Sequence, residues 1–132
     1  MKKLAVLAAI TILGTTASLA ADPVVGTWKT SPGDDGTYGH VRIYDCDGSI
    51  CGVLEDAFDE TGAQVESENI GKRMIWDMRA DGGGEYSGGR IWAPDRDKVY
   101  RSKMSLTGAS LSVAGCVAGG LICRDQLWTR VQ

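Results

Sequence analysis

"EYSGGRIWAPDRDKVYRSKMSLTGASLSVAGC", residues 85–116, sets short β-rich runs on either side of tight turns. Glu85–Trp92, Val99–Ser105 and Ser110–Cys116 alternate or concentrate β-branched and aromatic side chains, whereas Pro94-Asp95-Arg96-Asp97 and Thr107-Gly108 carry residues that reverse a chain. Runs joined by connections this short pair as neighbouring antiparallel hairpins. The same rhythm continues outward. Val25–Thr30, Tyr38–Asp45, Ile50–Ala57 and Arg73–Arg79 precede the stretch and Cys123–Val131 follows it, with Pro32–Gly36, Asp47-Gly48 and Asp81–Gly84 as further turns. Only Asp59–Gly71 is a longer connection, acidic and without helical periodicity, which reads as a mobile loop or a single helical turn. About eight strands in sequential hairpins would expose two open edges, and closure into a barrel removes them. Eight strands suffice for closure around side chains or one small ligand, whereas a sandwich tends to need longer crossing connections. The expected fold is all-β, a single up-and-down antiparallel barrel of about eight strands.

Residues 1–20 read as a cleaved signal peptide. Lys2 and Lys3 form a positive head, Leu4–Leu13 a short apolar run, and Ser18-Leu19-Ala20 a small-x-small cleavage site. The run is too short to span a bilayer, and no later stretch is apolar for long enough. Removing residues 1–20 of 132 leaves 112, residues 21–132, the size of one domain. The two removed lysines come from 14 basic residues that face 17 acidic ones, so the remaining formal charge is −5. Scattered bases in an acidic domain argue against a nucleic acid or an anionic membrane surface as partner. The expected location is periplasmic or secreted.

All four cysteines lie in the exported part, as Cys46-x4-Cys51 and Cys116-x6-Cys123. An oxidising compartment favours disulfides, and neither spacing suits zinc, with the one histidine, His40, distant in sequence. Four cysteines permit three connectivities. Because each pair brackets a turn, Cys46 with Cys51 and Cys116 with Cys123 is the favoured arrangement, each bridge contributing about 2 kcal/mol.

Gly26 beside Trp28 implies a tight corner under an indole, since glycine weakens a strand unless something must approach closely. If the first and last strands pair, "LWTRV" brings Trp128 and Arg130 beside Trp28, a guanidinium on an indole at the closed end. This arrangement resembles lipocalins and fatty-acid-binding proteins, in which an N-terminal Gly-x-Trp and an Arg of the last strand plug one end. A closer resemblance runs through "DPVVGTWKT", "YDCDGSICGVL", "RIWAPDRDKVYRSKMSL", "LSVAGC" and "QLWTRV". Together these are similar to the bacterial family called domain of unknown function 2147, which implies a small exported protein with a lipocalin-like barrel. The resemblance carries over no catalytic residues.

The residues themselves point away from catalysis. His40 has no serine in a nucleophile elbow to serve, and "DGGGEYSGG" opens no helix for a phosphate. The aspartates of "DCDGS" and "APDRDK" read as turn residues without a calcium ligand set. Period two instead places Met74, Trp76 and Met78 on one face, opposite Arg73, Ile75, Asp77 and Arg79. It places Tyr100, Ser102 and Met104 on another inward face. Methionine and aromatic side chains make an adaptable apolar wall, and they equally fill a small core. The expected function is an exported binding protein with no cofactor, no metal and no catalysis. It would hold a small apolar or amphipathic molecule against Met74, Trp76, Met78, Tyr100 and Met104, with Gly26, Trp28, Trp128 and Arg130 closing the barrel. The alternative is a filled barrel whose surface, or whose Asp59–Gly71 loop, docks an envelope protein.

Overall fold

A computed structural model describes residues 3, 5–12, 14 and 21–132. The expected cleavage site at Ser18–Ala20 lies outside the described residues. Among the described residues no helix is long and apolar enough to cross a membrane. The strands are β1 (Gly26–Lys29), β2 (Tyr38–Cys46), β3 (Ser49–Phe58), β4 (Gln64–Val65), β5 (Arg73–Gly82), β6 (Glu85–Ala93), β7 (Lys98–Thr107), β8 (Ser110–Val117) and β9 (Ile122–Arg130).

Each of the eight long strands pairs antiparallel with its neighbours, in the order β1-β2-β3-β5-β6-β7-β8-β9. Trp28 opposite Arg130 and Lys29 opposite Thr129 then join β9 to β1 and close the barrel. The up-and-down order follows from the turns. Asp47 and Gly48, both at positive φ, make the two-residue reversal between Cys46 and Ser49 that matches the twist of paired strands. The Asp59–Gly71 connection is more ordered than its sequence suggests. The Asp59 carboxylate accepts from Thr61 Oγ1 and from the Thr61 and Ala63 amides, which turns the chain so that β4 pairs with Ala57 and Phe58.

One core fills the interior, with Trp28, Val41, Ile43, Ile75, Met78, Leu111, Val113 and Trp128 almost without solvent exposure. Inward and outward residues alternate along most strands, but β5 breaks the rule. Ile75, expected beside Arg73 on the outer face, is fully buried, as is Met78, and Met74 is buried. Trp76, expected to point inward with them, is half-buried outside the core cluster, with the Arg73 guanidinium 5.3 Å from its ring centroid. The cause lies in the register with β3. Gly52 and Val53 face Ile75 and Arg73, and Ile50 and Gly52 face Met78 and Ile75, so β5 carries an extra residue in each interval. Asp77 takes φ 55 in the second of these. Two bulges therefore reset the alternation.

Candidate functional site

The two ends of the barrel differ. At one end the segment Asp22–Val25 crosses beneath Trp28. Trp28 Nε1 donates to the Val24 carbonyl at 2.9 Å, and the Arg130 guanidinium lies 4.4 Å from the Trp28 ring centroid. Arg130 Nη1 donates to the Val25 carbonyl at 3.2 Å, and Nη2 donates to the Pro23 carbonyl. A Cβ on Gly26, whose φ is 148°, would collide with the Gln132 carbonyl and the Arg130 guanidinium, which is why the corner needs glycine. Deeper in, the Tyr86 hydroxyl donates to the Asp22 carboxylate, which also accepts from the Val24 amide at 2.9 Å. Burial, and then the hydrogen bond and negative charge of Asp22, push the Tyr86 hydroxyl well above the ordinary tyrosine range. Trp28, Gly26 and Arg130 thus stand together, and the plug extends to Asp22, Val24 and Tyr86, which sequence reasoning missed. Only the aspartate just before the first strand could have signalled that the chain is tied down there.

The other end is open. A cleft of about 660 Å³ enters the barrel, with Leu54, Met74, Ile91, Trp92 and Trp128 among its apolar lining. Its polar lining includes Asp34, Asp35, Thr37, Glu66, Ser67, Asn69, Asp95 and Gln126. Trp128 therefore faces the cleft, and its Nε1 donates to Gln126 Oε1 at 3.3 Å. Trp92 is held by a bond from its Nε1 to Asp97 Oδ1 at 2.9 Å. The Thr37 hydroxyl, followed by the Thr37 amide, holds the Asp35 carboxyl below its ordinary range.

Of the five residues expected to form the apolar wall, Met74 lines this cleft. Met78 and Met104 are buried in the core, Tyr100 is half-buried on β7, and Trp76 stands outside the core. Leu54 and Ile91 were not singled out in the sequence, because single aliphatic residues in strands look alike whichever height of the barrel they occupy. His40 rests against the Phe58 ring, with centroids 4.5 Å apart. Among the described residues no group of three or more His, Cys, Asp and Glu side chains is placed to hold a metal.

Comparison with known families matches residues 26–130 to the one described as "Uncharacterized protein conserved in bacteria (DUF2147)". The chain belongs to this family. The match begins at the plug glycine and ends at the plug arginine, so it spans the whole closed barrel. No curated protein matches the chain. Among solved structures, protein HP1028 from Helicobacter pylori, described as belonging to the lipocalin family, is similar with a TM-score of 0.66 at 14% identity, over 82% of each chain. At that identity the likeness is one of fold, and it makes this DUF2147 barrel lipocalin-like.

Proposed function

We propose that the protein is an exported carrier, periplasmic or secreted, that holds a small apolar or amphipathic molecule in the open end of its barrel without acting on it chemically. The cleft carries this reading. Its volume suits a small ligand, and an apolar floor under a polar rim is the usual composition of a binding pocket. Residues 1–20 act in this reading as the export signal, removed after Ala20. The Cys46–Cys51 and Cys116–Cys123 bridges support it, since disulfides persist in oxidising compartments. Native mass spectrometry of the protein purified without denaturation from the exporting cell tests the idea. A bound mass that organic extraction removes supports it, and a bare mass with no saturable binding of an uncharged apolar probe overturns it.

A second reading, an envelope protein–protein interaction module, has one observation in its favour. Leu121 is 88% exposed and Ile122 64% exposed at the tip of the β8–β9 hairpin, beside the Cys116–Cys123 bridge. Exposed neighbouring apolar residues at a rigid tip suit docking to another protein. Crosslinking from this tip in the intact envelope would capture a defined partner if this reading holds.

A further inference from the structure

The bases that lie scattered along the sequence do not stay scattered in the fold. Trp76 on β5, Arg90 on β6 and Arg101 on β7 are paired in register, one rung across three adjacent strands. Paired residues share a face of the sheet. This face is the outer one, because Ser102 and Met104 alternate with Arg101 and Lys103 along β7 and are buried inside. Arg73, with its guanidinium 5.3 Å from the Trp76 ring centroid, stands on the same face. So does Arg79, next to the buried Met78, and its guanidinium lies 2.8 Å from where a Cβ on Gly88 of β6 would stand. Four arginines and one lysine thus surround a half-buried tryptophan on the wall of an acidic domain.

Among the described residues no carboxylate answers this charge. The one ion pair among them, Arg42 with Glu55, is on β2 and β3. The acidic residues of β5, β6 and β7 are Asp77, Asp81 and Glu85, and Glu85 accepts from Ser105 Oγ. Arg90 and Arg101 donate only to carbonyls, of Gly89 at 3.2 Å and of Gly119 at 3.5 Å. Like charges directly opposite each other on neighbouring strands cost stability, so folding does not account for this pair. The two β5 bulges are what turn Trp76 outward among these bases. Tryptophan and arginine dominate the energetics of protein–protein contacts, whereas lysine is depleted there. An anionic membrane would extend past the patch and repel the acidic remainder of the domain, but a segment of chain contacts the patch alone. We propose that this face of β5, β6 and β7 docks an acidic segment of a partner protein, whose carboxylates take the paired N–H groups of Arg90 and Arg101 and whose apolar side chain rests on Trp76. The docking is independent of what the cleft holds, and it uses a different surface from the Leu121–Ile122 tip.

The test is fluorescence anisotropy of a rhodamine-labelled peptide, a leucine centred between two runs of glutamates, titrated with the native protein at about 50 mM salt, where screening is weak. The double variant Arg90→Gln/Arg101→Gln should bind it roughly tenfold more weakly, and Trp76→Leu about fivefold. Arg42→Gln/Arg124→Gln removes the same charge away from this face and should change binding by no more than about twofold. Without peptide, Arg90→Gln should unfold at a urea midpoint at least as high as the native protein, because it relieves the repulsion with Arg101. Equal loss in the two double variants would mean attraction to charge in general and overturns the proposal, as does the lack of saturable binding to the native protein. Binding to phosphatidylglycerol vesicles through Arg90 and Arg101 without binding of the peptide also overturns it and gives the face to a membrane. A clear fall in the urea midpoint of Arg90→Gln makes the pair a structural one and overturns it as well.

Discussion

Arg130 performs two tasks with one side chain, covering the Trp28 indole and holding the carbonyls of Pro23 and Val25. Its replacement by methionine keeps much of the apolar stem but loses the charge and both bonds. The expected cost is about 2–3 kcal/mol, read from the urea midpoint at pH 7. Arg130→Lys should recover only part of it, because an ammonium lacks the planar fork. Tyr86 makes a prediction in pH. Its hydroxyl is raised in the folded protein above the ordinary tyrosine value of about 10, so above that pH the unfolded chain loses a proton that the folded one keeps. Stability should be unaffected by this group below about pH 10 and fall as pH rises beyond it. Tyr86→Phe should flatten that alkaline decline while costing about 1–2 kcal/mol at neutral pH through the lost bond to Asp22. The pairing of Trp28 with Arg130 was legible from Gly-x-Trp and the final strand. The Tyr86–Asp22 contact joins residues 64 apart along the chain, and no local pattern encodes it.

Strands and turns were the more legible level. Hairpin turns rich in Asp and Gly announce themselves by the φ values they need, and both cysteine pairs bridge the turns that they bracket. Replacing Cys116 and Cys123 together by alanine should cost about 2 kcal/mol in thermal or urea unfolding and leave the barrel closed, since the loop they enclose is short. What alternation could not convey was β5. A bulge changes which residue faces inward without changing composition, so Trp76 and Ile75 exchange their expected faces through backbone geometry alone. The two-residue β4 is likewise shorter than any period, and only the Asp59 turn brings it to the sheet.

At the scale of the whole molecule, the barrel could be inferred because sequential hairpins with two free edges have few other ways to end. The cleft could not, since its walls come from segments as distant as Thr30 and Trp128, and their meeting depends on strand tilt and register. The two tryptophans that line the cleft should therefore respond differently to substitution. Trp92→Ala, at a half-buried rim position, should weaken binding of an uncharged apolar probe about tenfold at modest cost in stability. Trp128→Ala removes a side chain that is 1% exposed and should cost about 3–5 kcal/mol, measured by urea unfolding. The seam between β1 and β9 carries the last consequence. It comprises the pairs Trp28–Arg130 and Lys29–Thr129 with the backbone bonds of Thr27 to Val131 and Gln132, and it unites positions as far apart as Trp28 and Arg130. Contacts of such separation form late, after the local hairpins have assembled into a curled ribbon. Until they do, both margins of that ribbon are available to any other chain, so the interval between synthesis of β9 and its docking on β1 is when the protein is most exposed to misassembly. Pulse-labelling hydrogen exchange during refolding should show the β1 amides protected last.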